Sequence, residues 1–407
     1  MPLLDVETFY NQQNLKRFFF PGRIFWGTDC RYRLRDLVDA GGTIALFVDA
    51  YFLESEFIRE FRDRCGSRMV LVEPIGGMPR TEQVKRLVER MDRLPDWFVS
   101  VGGGSSMDTA KAVMAGLLFG SYDGIGIGER RGIRPLAGAG KPAFVCLPTT
   151  AGTGADASRY YVIYDSGSRT KVYGRSWSLV ADWILLDPAL VRSLPERLLV
   201  PSAFDAFVHL FESFLCRYER SWFGEMISLD GITRILRSLD RIVRRGERDD
   251  DPYLQLLYSA TMAGVAVSNI RTGMIHEAAG ALLEHTALSH PETLFVFFRE
   301  TCALYRGHMA DREALLLRRL SAEYPELGAA SLDGILRWWE DHFERCGITA
   351  GVVRAIGQAD VPAEELKERI FERVHSDRVW IEKEGPLPLE DSRIRAWIAA
   401  SLARFGL

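Results

Sequence analysis

Residues 97–111 read WFVSVGGGSSMDTAK. WFVSV (97–101) is a short, mostly apolar run. GGGSS interrupts it, and a helical pattern follows from about Met107. A strand that feeds a glycine turn into a helix is the beginning of a βαβ unit. The same alternation extends on both sides. TIALFVDA (43–50), MVLVE (69–73), AFVCLP (143–148) and WILLDP (183–188) are nearly continuous apolar runs, the pattern of strands buried on both faces. Helical patterns lie between them, one through about residue 64 and one over 82–93. This order predicts a parallel sheet covered by helices. RYYVIYDSGSRTKVYG (159–174) alternates apolar and polar residues around Asp-Ser-Gly-Ser and reads as a hairpin.

From about Leu194 the strand signals fade. FDAFVHLFESFL (204–215) carries Phe204, Phe207, Val208, Phe211, Phe214 and Leu215 on one helical stripe, and Pro201-Ser202 is the expected helix start. RRGERDDDP (244–252) reads as a solvated loop between helices. The fold expected is α/β: a Rossmann-like domain over residues 1–190 and an all-helical domain over 191–407.

Composition sets the outer limits. The chain has 407 residues, 51 Lys plus Arg against 55 Asp plus Glu, and a net charge of -4, which argues against nucleic acid as a partner. No apolar run in the sequence approaches the roughly 18 residues of a membrane span, and the N-terminus lacks the order of a signal peptide. Six cysteines stand apart without a CxxC pair, so a cytoplasmic location is expected.

Two loops carry the nucleotide argument. VGGGSSMDTAK (101–111) places glycines at a helix N-terminus, where free N–H groups and the positive end of the helix dipole attract phosphate. A tight βα turn has the same look. PTTAGTGADAS (148–158) is a second small-residue loop after a strand. Two such loops at strand ends fit a nucleotide across the sheet edge. Asp49 ends an earlier strand. A carboxylate there binds ribose hydroxyls and repels a 2′-phosphate, favouring NAD(H) over NADP(H), although it also serves as a turn or cap residue.

The helical half carries the metal argument. Asp205 and His209 are four apart and share a helix face, while His276 and His290 lie 14 apart. Each pair alone is common. Together they form one oxygen and three nitrogen donors, suited to Fe(II) or Zn(II).

With these pieces in order, the sequence resembles the iron-containing (group III) alcohol dehydrogenases. The likeness runs through GGMPRTEQV (76–84), GGGSSMDTAK (102–111), PTTAGTGADAS (148–158), LLDPALVRSLP (185–195), FDAFVH (204–209) and the His276–His290 pair. The resemblance implies the architecture shared with dehydroquinate synthase-like proteins and usually a homodimer. It implies Asp205, His209, His276 and His290 as metal ligands and catalytic groups. It implies Gly103, Gly104, Ser105 and Asp108 in the first cofactor loop, Thr149, Thr150 and Thr153 in the second, Asp49 at the ribose, and Lys171 and Leu179 towards the cofactor's far end. The implied reaction is carbonyl reduction of a small aldehyde or ketone, or its reverse, with the metal polarising oxygen and the nicotinamide transferring hydride. A carbocycle-forming synthase of the dehydroquinate type and a catalytically degenerate binding protein are the alternatives. The synthases usually have glutamate as first ligand and lack the D-x-A-K continuation seen at Asp108, Ala110 and Lys111.

Three departures stand out. Many members carry a second histidine four residues after the third ligand, where this chain has Gly280. His285, on a helix, would point away from His276. The fourth ligand sits in Ser289-His290-Pro291 rather than Pro-His-Gly. Arg271, in SNIRTGMIH (268–276), replaces a small residue and could grip an anionic substrate, in a pattern similar to members that reduce phosphonoacetaldehyde; a structural salt bridge is the alternative.

Overall fold

The computed structural model describes residues 18–120, 140–168, 170–217, 221–327 and 331–407. The chain divides into two compact units. One comprises residues up to Thr150 together with Gly154–Arg192, and the other Ala151–Thr153 together with Ser193–Leu407. The division thus falls near the expected place, except that Ala151–Thr153 joins the helical unit. A Cβ on Gly152 would come within 2.7 Å of the Ser202 carbonyl oxygen, which is how closely that tripeptide packs there.

The first unit holds β1 (Arg23–Trp26), β2 (Ile44–Asp49), β3 (Met69–Ile75), β4 (Trp97–Gly102), β5 (Ala143–Pro148) and β8 (Trp183–Leu186) in one parallel sheet. The order across it is β1-β8-β5-β4-β2-β3. Leu46, Val48, Val99, Val101, Val145 and Leu147 pack with Phe57, Ile58 and Phe61 of the helix Glu56–Cys65. Between them Phe47 and Phe98 stack, both fully buried. Burial on both faces is why these strands read as unbroken apolar runs. The strand β1 has no such signal, since Phe25 and Trp26 are exposed on a four-residue edge strand.

Strand β6 (Tyr160–Asp165) and β7 (Thr170–Arg175) form the antiparallel hairpin. The helix Gly104–Phe119 begins three residues before the expected Met107 and fastens that hairpin. Asp108 Oδ2 accepts the Val162 N–H at 3.0 Å. Lys111 Nζ, fully buried, donates to the carbonyls of Ser158 at 2.5 Å and Tyr160 at 2.9 Å. Burial pushes the Asp108 carboxyl up to about 6 despite the nearby Lys111 charge. The D-x-A-K continuation thus fastens the hairpin in this chain, with one oxygen of Asp108, a residue expected at the cofactor, bonded to β6.

The second unit is built on the helix Glu196–Leu215. It starts before the expected Pro201, which lies inside it. Proline removes one N–H from the ladder. Here the loss falls in the exposed opening turns, around Arg197 and Leu198, where solvent can serve the freed carbonyl. The helix has a mean hydropathy of 1.4 over its best window, enough for a membrane span by length and composition, yet 89% of that window is buried within the protein. Its Phe204, Phe207 and Phe211 stack in sequence and meet Phe298 edge-on. Trp222–Leu239 and Asp250–Ile270 pack beside it, and Met274–Glu284 and His290–Tyr305 follow.

Replacing Lys111 by Met leaves two carbonyls and a buried carboxylate without their cation. The expected cost is about 3 kcal/mol, read as a lower urea midpoint for the α/β unit. A midpoint equal to the parent's would remove the fastening role.

Candidate metal and dinucleotide sites

The helix Glu196–Leu215 places Asp205 and His209 one turn apart, both buried. His276 lies in the first turn of Met274–Glu284, and His290 is the first residue of His290–Tyr305. Three imidazoles converge on one carboxylate oxygen. Asp205 Oδ1 is 3.6 Å from His209 Nδ1, 3.8 Å from His276 Nε2 and 3.7 Å from His290 Nε2. Ligand atoms at tetrahedral bonds of about 2.1 Å stand about 3.4 Å apart, so this spacing suits one ion. Asp205 Oδ1, His209 Nδ1 and His276 Nε2 are buried without a hydrogen-bond partner. Buried polar atoms are ordinarily satisfied, and a divalent ion at their centre would satisfy all three. The donor set fits Fe(II) or Zn(II). The His290 side chain is 30% exposed against 8% for His276, so His290 marks the open side.

The Ser289-His290-Pro291 departure has a local reason. Ser289 caps the helix, Pro291 occupies its first turn, and the Ser289 N–H donates to Glu292 Oε2 at 2.7 Å. This capping box fixes the chain at the residue that presents His290.

A fifth residue was missed in the sequence. Glu212 Oε2 lies 2.6 Å from His276 Nδ1. It stands seven residues after Asp205, hence on the same face, and a lone acid in an apolar stripe was the available signal. Its oxygens also accept the N–H groups of Gly273 at 2.9 Å and Ile275 at 2.8 Å.

Burial would lower the His276 pKa, but the charges of Glu212 and then Asp205 raise it to about 9. Burial holds His209 at about 4. Burial also works against an ionised Asp205, yet the imidazoles, His209 foremost, hold its carboxyl well below the usual range.

In the α/β unit the expected cofactor residues gather at the carboxyl edge of β2, β4 and β5. Asp49, Gly102 and Pro148 end these neighbouring strands, and Thr149 N–H donates to the Gly102 carbonyl at 3.0 Å. Gly103 and Gly104 open the helix, and the N–H groups of Gly104 and Ser105 precede its first hydrogen bonds. A Cβ on Gly102 would meet Ser106 Oγ at 2.2 Å, which leaves that position to glycine, and one on Gly103 would sit tightly against Thr150 at 3.1 Å. The arrangement fits a pyrophosphate. Asp49 accepts the Tyr51 N–H at 2.9 Å, the turn role, which leaves its second oxygen for a ribose. Lys171 lies on β7, Leu179 is fully buried, and Thr153 belongs to the helical unit.

Models of two family regions match this chain: iron-containing alcohol dehydrogenase over residues 21–188, and the C-terminal region of the Fe-containing alcohol dehydrogenase family over 199–333. The chain belongs to the iron-containing alcohol dehydrogenase family. It is an oxidoreductase of the alcohol dehydrogenase and aldehyde reductase type. The NADPH-dependent butanol dehydrogenase of Clostridium saccharobutylicum is 25% identical over 65% of this chain and 68% of its own. The 4-hydroxybutyrate dehydrogenase of Clostridium kluyveri is 25% identical over 68% and 74%. The sulfoacetaldehyde reductase of Bifidobacterium kashiwanohense, solved with NAD+, shares the fold with a TM-score of 0.79 at 16% identity, over 95% of this chain and 98% of its own.

His285 is occupied elsewhere: its Nδ1 lies 2.9 Å from Asp360 Oδ1. Arg271 ends Asp250–Ile270 with φ 70° and ψ 177°, a region essentially reserved for glycine. Its guanidinium lies 4.6 Å over the Trp380 ring, and no carboxylate among the described residues pairs with it.

Because His276 holds a proton up to about pH 9 while His209 is neutral above about 4, metal uptake near neutrality displaces one proton. Affinity for Zn(II) should therefore rise about tenfold per pH unit below 9 and level off above it. A flat titration between about pH 6 and 8 would mean that His276 is already neutral.

Proposed function

We propose that this chain is a metal-dependent, NAD(H)-linked aldehyde reductase, or alcohol dehydrogenase in reverse, acting on a small aldehyde with an anionic group. The observation that carries it is the convergence of three imidazoles on the buried Asp205 oxygen. Fe(II) or Zn(II) would be held by Asp205, His209, His276 and His290. When bound, the ion supplies Lewis acidity to a carbonyl oxygen and the nicotinamide supplies hydride.

The chain's own residues do the rest. The Gly103–Ser105 turn offers N–H groups to a pyrophosphate, with Thr149 and Thr150 beside it, and Asp49 favours a free ribose 2′-hydroxyl. Lys171, Leu179 and Thr153 remain the candidates for the cofactor's far end. Gly280 supplies no proton donor one turn beyond His276, so the proton comes from solvent on the open His290 side. Arg271, braced against Trp380 and without a carboxylate partner among the described residues, grips the anionic end of the substrate. The carboxylate in the name of the butyrate relative is in keeping with an anionic substrate. A cytoplasmic homodimer completes the reading.

Metal analysis of protein purified without oxygen should find about one iron or zinc per chain and little in His209→Ala. Metal equal in both would sink the ligand set. Arg271→Ala should raise KM for a carboxylated or phosphonylated aldehyde roughly 10- to 100-fold and leave a neutral aldehyde nearly unaffected. Equal effects would remove the anion site. NAD-dependent phosphate release from a sugar phosphate, without NADH consumption, would favour the synthase alternative.

A further inference from the structure

Glu212 is buried, 8% exposed, and every hydrogen-bond partner it has among the described residues is a nitrogen. An ionised carboxylate accepts hydrogen bonds and gives none. Two of its partners, the Gly273 and Ile275 N–H groups, can only donate. The third, His276 Nδ1, must therefore carry a hydrogen towards Glu212, so that once the ring has given up its second proton it is Nε2 that presents a lone pair on the Asp205 side. The packing is built for this contact. A Cβ on Gly273 would come within 2.9 Å of Glu212 Oε1, so glycine keeps the carboxylate's place clear. The neighbouring Ser213 donates its hydroxyl to the Arg271 carbonyl at 3.4 Å, a weak bond at the other end of the same segment.

We infer that Glu212 is a positioning residue of the metal centre: it fixes the tautomer and ring plane of His276 and ties the 271–275 segment to the turn of helix that carries His209. A carboxylate behind a ligating imidazole raises the ligand's basicity and holds its orientation. The same residue thereby links the metal ligand to the backbone that presents Arg271. The inference rests on the metal reading proposed above.

The test is equilibrium Zn(II) binding by chelator competition, with the visible spectrum of the Co(II)-loaded protein, for the parent, Glu212→Gln and Gly273→Ala. The glutamine amide can turn its NH₂ towards Nδ1, which would put the hydrogen of His276 on Nε2, where the ion should bind. Glu212→Gln should therefore weaken Zn(II) binding about 10- to 100-fold and shift the Co(II) bands, with near-UV circular dichroism unchanged. Gly273→Ala keeps the carboxylate but displaces it, so it should shift the Co(II) bands too, and it serves if Glu212→Gln does not fold. Affinity within about twofold of the parent and unshifted bands would overturn the positioning role while leaving the metal reading intact. A parent that binds no Zn(II) would overturn both.

Discussion

A single buried carboxylate organises the helical unit. Asp205 lies inside an apolar helix, 1% exposed, where an uncompensated charge would cost several kcal/mol. Around its Oδ1 stand nitrogens from three separate helical positions, His209, His276 and His290, at 3.6–3.8 Å, too far for hydrogen bonds and spaced as a cation's ligands would be. The aromatic column of Phe204, Phe207 and Phe211 does mechanical work for the same end. Close-packed rings fix the rotation of the helix about its axis. That rotation decides whether residues 205, 209 and 212 face the histidines or the core.

The α/β unit solves a different problem with backbone rather than side chains. Parallel strands end in step, so residues following them converge at one edge. The register Val48–Val101 and Gly102–Pro148 brings Asp49, the glycine turn and Thr149 together. The turn is kept tight by neighbours that leave no room for a Cβ at residue 102 and little at residue 103. The groups that lock the hairpin in place, Asp108 and Lys111, are one helical turn further on and face inward. A single motif thus contains a tight glycine turn and a fold-holding half, separated by one turn of helix.

What was legible in the sequence follows from which forces act locally. Strands β2, β4, β5 and β8 announce themselves because burial on both faces demands unbroken apolar runs, and the edge strand β3 shares the pattern although its Val70 is exposed. The edge strand β1 escapes because RIFW is short and three of its four residues are exposed. Asp205, His209, His276 and His290 could be singled out because histidine is scarce and the spacing of Asp205 and His209 follows helical geometry. Glu212 escaped because its meaning is tertiary: only the fold brings residue 276 across to it. The bond from Asp108 to β6 was hidden for the same reason, since sequence pattern does not say on which element a carboxylate finds its donor. Pro201 was read as a boundary, yet a proline near an exposed helix start sacrifices only one solvent-accessible hydrogen bond.

Arg271 closes the argument from backbone to chemistry. Its φ of 70° with ψ near 177° costs a non-glycine residue about 1–3 kcal/mol. Glycine would take that conformation without strain, so the cost belongs to having a side chain there at all. The surrounding contacts make the conformation tolerable: Ser213 meets the Arg271 carbonyl, and Glu212 receives the N–H groups of Gly273 and Ile275. They do not call for a guanidinium, which lies over Trp380 with no carboxylate partner among the described residues. The Trp380 ring answers its charge with a cation–π contact of about 0.5–1 kcal/mol, at or below the backbone cost. The strain is thus stored in the short segment that leads from the end of Asp250–Ile270 into the turn before His276.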